Sequence, residues 1–376
     1  MKKRFLLCLL LSFSLQTFAQ RKVQLVILFD TSNSMDGLLN QAKARIWAIV
    51  NEASTLTYQG APVTLEIAMY DYGNSTISAT QNYIRKQLDF STDLDLVSEK
   101  LFGLRTSGGE EYCPAVIVSS LKELNWSNSP QDLKLVYIAG NESFKQGPIS
   151  TATACELAAE KHVLVSTIFC GDRLQGINLG WKAGADCAKG DFFNIDPNQT
   201  VQQIETPFDD QIIEQNRLLN NTYIGFGEVA VSSKSKQITQ DQNAIGVSKM
   251  AETERYLVKS KSSYKNEAWD IVDAHKADST KIALLKENEL PAEMKGMSVD
   301  QRQAFVKQKT EERSAIQKEM ARLETARRKY IEAENAKTTQ AKPDDFGTAV
   351  ATSLRNNAKT LGFDWSVVDE LVSRFF

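Results

Sequence analysis

Histidine is nearly absent from this chain, with His162 and His275 the only two. A Ser–His–Asp or Cys–His hydrolase needs a well-placed imidazole. His162 precedes a strand-like segment, which puts it at the opposite end of a sheet from Ser32 and Cys113, and His275 stands in a polar region without a companion. There is no Gly-x-Ser-x-Gly elbow, no phosphate-cradling loop with a lysine and no Cys-x-x-Cys pair. The five cysteines are too dispersed for short zinc-ligand knuckles. The reading is therefore non-enzymatic. Charge of one sign is missing too. The 44 basic side chains against 47 acidic ones give no bias toward nucleic acid or a membrane surface. Beyond the first residues no stretch nears the ~18 continuous apolar residues of a membrane span.

The first residues have the form of a secretory signal peptide (1–19). Lys2, Lys3 and Arg4 are a basic start, residues 5–15 a short apolar core, and Thr17-Phe18-Ala19 a small-residue cleavage site before Gln20. The expectation is an exported protein, periplasmic or secreted. About 355 residues remain, more than the ~250 at which single cores stop growing, so two units are expected. Cys113, Cys155, Cys170 and Cys187 remain as well, an even count that favours disulfides in an exported chain.

Residues 20–200 alternate strand-like and helix-like segments. Residues 23–29 form a continuous apolar run, as a central parallel strand requires. Helical spacing follows over 38–50, then strands over 63–70 and 82–90, the latter alternating and edge-like. Helices are expected over 94–104, 115–124 and 149–161, and strands over 133–139, 162–170 and 191–195. This order gives an α/β fold with a doubly wound, mostly parallel sheet. From 201 to 337 the composition turns polar and helical. Its long charged helix over 298–336 opens on a Ser298/Gln301 capping box and reads as solvated, half of an antiparallel helical hairpin more than a coiled coil. Residues 338–376 read as a linker and a helical terminus.

The first strand stops at Asp30 in "ILFDTSNSMDG" (27–37), followed by Ser32 and Ser34. In an open parallel sheet, ligands bind beyond the carboxyl ends of the strands. One carboxylate and two hydroxyls at alternate positions can face a single point and suit a hard cation. The alternative for these residues is capping of the next helix. Asp-x-Ser-x-Ser after a buried strand resembles the metal-ion-dependent adhesion site of von Willebrand factor A (vWA) domains. The haloacid-dehalogenase phosphatases also put an Asp at a strand end, but they need a second Asp where Ser32 stands.

That resemblance covers about residues 22–200 and implies Mg²⁺, or Mn²⁺ or Ca²⁺, held at the sheet edge. It also implies a protein partner of envelope or extracellular type, docked by an adhesion or scaffold module with no nucleic acid involved. It carries the site onto Asp30, Ser32 and Ser34. In the second loop, "RTSGGEEYCPAV" (105–116), Glu110 stands where the family has a Thr. In the third, "VYIAGNESF" (136–144), Gly140 replaces the family's Asp. Thr106, Glu111 and Glu142 are further candidates. Asp71 ends the second strand as an outer partner of the site or a turn residue, and Trp47 and Trp181 are expected to be packing residues. Three pairings of the four cysteines are possible, with four free thiols the alternative; placing Cys113 and Cys170 at the same sheet edge favours Cys113–Cys170 and Cys155–Cys187. "GGEEYC", "IAGNE", "TIFCG", "NNTYIGFG" and "ELPAEMKGMS" further resemble a group of exported bacterial A-domain proteins with a helical C-terminal half, a likeness that assigns no activity. The alternative reading is a cell-envelope scaffold whose helical half makes the contacts.

Overall fold

The computed structural model describes residues 20–196, 204–337 and 346–365. The expected signal peptide, the start of the helix expected at 201, the expected linker and the last residues lie outside them. The apolar run forms β1 (Lys22–Asp30), and α1 (Leu39–Ala53) follows. A hairpin, β2 (Leu56–Tyr58) and β3 (Ala61–Pro62), leads into β4 (Thr64–Tyr72), β5 (Ile84–Ser91) and α2 (Leu94–Gly103). The Asp93 carboxylate caps α2 by accepting from the amides of Asp95 and Leu96. Next come α3 (Cys113–Glu123), β6 (Leu133–Gly140), α4 (Thr151–Glu160), β7 (Leu164–Cys170), α5 (Arg173–Asn178), α6 (Trp181–Cys187) and β8 (Lys189–Ile195).

The six-stranded sheet has the order β5-β4-β1-β6-β7-β8. Every neighbouring pair is parallel except β4–β5. The chain moves outward from β1 to β5 and returns to β6 on the other side of β1. The order therefore reverses at the carboxyl end of β1, where a doubly wound sheet opens a crevice. The expected α/β architecture is present.

The rest of the described chain is helical: α7 (Asp209–Asn220), α8 (Ala230–Val247), α9 (Lys249–Lys259), α10 (Ile271–Ala277), α11 (Lys281–Leu284), α12 (Val299–Lys337) and α13 (Phe346–Thr360). The Ser298/Gln301 box is formed at the start of α12. The chain then returns to the first half, where β9 (Phe363–Trp365) pairs antiparallel with β2.

Alternate residues of β1 serve two cores. Val26 and Leu28 face α3, α4 and α6, with Tyr72 and Trp181. Val23, Leu25, Ile27 and Phe29 face α1, and this core continues without a break to Leu257, Met320 and Leu354 of the helical half. As a result α1 is buried nearly all round, Lys43, Arg45, Asn51 and Glu52 included. The helical half is a further layer on one face of the sheet.

Charged groups seal that layer. Arg255, fully buried, donates to the Asp95 carboxylate of α2 and, at 3.1 Å, to Asp241 of α8. Asp95 also accepts from the Tyr264 hydroxyl at 2.8 Å. Arg327 bridges Asp209 and Glu254, and Asn51 of α1 donates to Glu254 and Glu324. Charges this deep require such partners.

Cys155 of α4 and Cys187 of α6 are bonded. The expected Cys113–Cys170 bridge is corrected, since both are free and buried. Cys113 packs in the core beneath α3 and Cys170 in the core beneath α1, on opposite faces of the sheet. Position near one sheet edge does not bring together side chains that lie on opposite faces of the sheet.

Candidate metal site at the carboxyl end of the first strand

Residue parity sends Asp30 to the face carrying Tyr72, Cys113 and Trp181, and it is fully buried. One of its oxygens, Oδ1, accepts the Ser32 amide at 2.8 Å. The other, Oδ2, is buried without a hydrogen-bond partner. After Ser32 a 3₁₀ turn, Asn33–Met35, leads toward α1. The Ser32 and Ser34 hydroxyls are 2.8 Å apart. The Ser34 hydroxyl donates to Asn141 Oδ1 at 2.8 Å, and Asn141 Nδ2 donates back to the Ser34 carbonyl at 2.9 Å. That pair ties the third loop to the first. Asn74 ties in the second, donating to the carbonyls of Thr31 and Arg105.

From the second loop Glu111 is turned inward and 4% exposed, and its Oε2 also lacks a partner. Burial pushes the Glu111 carboxyl up to about 8, with the Asp30 charge adding to it. Burial likewise raises Asp30 from 3.8 to about 7, against the pull of the Ser32 amide and hydroxyl. Two carboxyls thus lie close together, each with one oxygen that makes no hydrogen bond.

Two glycines make room for them. Gly73 has φ +74°, and a Cβ there would lie 2.8 Å from Glu111 Cγ and 2.9 Å from Asp30 Oδ1. A Cβ on Gly140 would lie 2.6 Å from the Tyr72 hydroxyl, 2.9 Å from Trp181 Cη2 and 3.1 Å from Asp30 Oδ2. The family's third-loop Asp therefore has no space here, because Tyr72 and Trp181 occupy it.

The other sequence candidates are placed as follows. Glu110 is exposed, its side chain outside the buried pocket. The Thr106 hydroxyl donates to the Asp36 carboxylate. Glu142 is exposed at the rim; its carbonyl accepts Trp181 Nε1 at 2.6 Å, while its charge raises both Asp30 and Glu111. Asp71 is a strand residue on the opposite face, neutralised by Arg85 at 2.6 Å and touched by the Thr31 hydroxyl at 3.3 Å. Trp47 and Trp181 are fully buried, as packing residues should be. Asn141 and Asn74 escaped the sequence reading because neutral side chains in loops carry no spacing signal.

Among the described residues no group of three His, Cys, Asp or Glu side chains is assembled as a metal site. A cation at this edge would rest on the two carboxyls and the serine hydroxyls. Such an all-oxygen set suits Mg²⁺, Mn²⁺ or Ca²⁺.

The chain matches no family model and no curated protein. Several solved structures align with somewhat under half of the chain. The conserved hypothetical protein BatB from Bacteroides thetaiotaomicron aligns at 18% identity over 46% of this chain and 90% of that one, with a TM-score of 0.34. The SpRpn10 VWA domain aligns at 11% over 46% and 88%, with a TM-score of 0.36. Proximal thread matrix protein 1 from the mussel byssus, with a zinc-occupied MIDAS motif, aligns at 12% over 49% of this chain and 44% of its own length, with a TM-score of 0.35. The first half is an α/β fold on a doubly wound, mostly parallel sheet. The functional reading is carried by the site's own geometry.

Proposed function

We propose that this protein is an exported, non-enzymatic binding module. Its vWA-like half holds a divalent cation between Asp30, Ser32, Ser34 and Glu111, and docks a protein partner at that edge. The observation that carries the reading is the pair of buried, unpartnered carboxyl oxygens, Asp30 Oδ2 and Glu111 Oε2, in one glycine-walled pocket. Buried polar atoms are rarely left so, and a cation supplies the missing partner for both. Glu111 takes the place assigned from sequence to Glu110, because only Glu111 is buried beside Asp30. The disulfide supports export, since such bonds persist in oxidising compartments. No helix among the described residues is long and apolar enough to cross a membrane.

Calorimetric titration of the whole protein with Mg²⁺, Mn²⁺ and Ca²⁺ tests the reading. One site is expected, lost in both Asp30→Ala and Glu111→Ala but kept in Glu110→Ala. Absence of binding at millimolar cation removes it.

A second reading, a scaffold using its helical half, has its own observation. Val231, Ile238 and Ile245 recur every seven residues on α8 and are 83%, 45% and 53% exposed. Partner capture that survives Asp30→Ala but not Ile238→Asp would favour it.

A further inference from the structure

A polar trench runs beside the candidate cation site. It consists of two joined hollows, of about 420 Å³ and about 450 Å³, that share Glu99, Gly103 and Arg105 in their walls. The first reaches Asn74 and Ser107 at the sheet edge, and the second lies between α2 and α8.

Positive charge dominates the trench. Arg105 Nη1 donates to the Phe102 and Leu104 carbonyls, both at 2.9 Å. Lys43 donates to the same two carbonyls from behind, at 3.2 and 2.9 Å. Lys43 is 2% exposed and has no carboxylate partner among the described residues. Lys100, in the wall, has none either. Lys236 shares Glu99 at 3.7 Å, and Arg85 is held by Asp71. Lys43, lowered to about 8 by its burial, stays behind the wall, whereas Lys100 and Arg105 stand in it with no carboxylate partner among the described residues, and an anionic ligand complements these two.

Size and lining decide which anion. Each hollow is many times the ~30 Å³ share of one water molecule, far larger than a single phosphate or carboxylate fills. Between the cations the walls are amide and hydroxyl: Thr76, Gln87 and Ser107 in one hollow, Ser235, Thr239 and Asn243 in the other. Such groups exchange hydrogen bonds with a peptide main chain while the cations take its carboxylates. We propose that this trench binds an extended, Asp/Glu-rich peptide segment of a protein partner, independently of any cation at Asp30.

The test is fluorescence anisotropy of labelled deca-glutamate with the full chain, in chelator, against deca-glutamine. Saturable binding of deca-glutamate alone is expected, weakening as salt rises. Lys100→Glu and Lys236→Glu, two surface changes that leave the Arg105 anchor intact, should each weaken it about tenfold. Asp30→Ala should leave it unchanged. Equal binding of deca-glutamine overturns the proposal, and so does indifference to both charge reversals. Full displacement by inorganic phosphate at matched ionic strength would mean a small-anion site and overturns it too. Loss of binding in Asp30→Ala would make the trench part of the cation site and refute its independence, whereas failure of cation binding alone leaves the trench standing.

Discussion

Replacing Arg255 by Met should loosen both halves of the protein at once. Arg255 is fully exposed to neither solvent nor a single partner: it is buried, joined to Asp95 and Asp241, and stacked within 5.4 Å of the Tyr264 ring. Methionine fills much of the volume but leaves both carboxylates. Asp241 keeps Lys259 at 2.5 Å and Asn220 at 3.1 Å. Asp95 keeps only the Tyr264 hydroxyl and the dipole of the first turn of α2. Breaking a buried pair by removing one partner costs about 3–5 kcal/mol, and the surviving partners of Asp241 place this case near 3. In a chain of this length that lowers the melting midpoint by about 5 °C. Adding Asp95→Asn removes the stranded charge and should recover about 1–2 kcal/mol. Hydrogen exchange provides the sharper assay, because the core runs from β1 to α12. Protection should fall in α1 and α9 together. A loss below about 1 kcal/mol, or loosening confined to the helical half, would refute the shared core as a cooperative unit.

In chelator, stability should fall as pH rises. The folded Asp30 carboxyl, at about 7 against 3.8, retains a proton that the unfolded chain releases. For this group the fall spans about pH 4 to 7 and amounts to about 4 kcal/mol, and Glu111, raised to about 8, carries the fall on to about pH 8. Denaturant melts across that range should show it reduced in Asp30→Asn, with the Glu111 part remaining, and reversed by millimolar Mg²⁺; a profile unchanged by the substitution contradicts the placement. Gly140→Asp, which restores the family's carboxylate, should lower both stability and calorimetric cation affinity, since its Cβ meets the Tyr72 hydroxyl at 2.6 Å; tighter binding would show that the wall gives way. Cys155→Ser with Cys187→Ser opens a loop with a sequence separation of 32 and should cost about 3 kcal/mol in chemical denaturation.

Where side-chain chemistry and burial agree, the sequence was readable. The apolar run of β1, its Asp-Thr-Ser ending and the alternation after it led to the sheet and its edge. Legibility failed where burial is polar. The stretch 232–243, with few residues fit for a core, lies within α8, whose inward face is Gln237, Gln240, Asp241 and Ala244. The long helix α12 looked solvated because Arg313 and Glu324 on its buried side find ion-pair partners distant in sequence. Hydrophobic periodicity cannot register a partner that neutralises a charge. Which of Glu110 and Glu111 turns inward is hidden from the sequence for a related reason. Neighbouring residues of one type are alike to a spacing rule, and the packing of the loop entering α3 decides which turns in. The strands β2, β3 and β9 are two or three residues long, below the length at which a period can be seen.

The pairing of β9 with β2 makes the last-built part of the chain finish the first. Asp364 stands opposite Thr57, and Arg355 reaches Glu52 across 303 positions. Contacts so remote slow a fold, because the intervening loop must close before they reward it. During synthesis, then, α1 waits with one flank bare until residues beyond 346 emerge. A chain truncated before α13 would keep every cation ligand named above and still expose the flank of α1 that Val350 and Leu354 cover, an invitation to aggregation or to a chaperone.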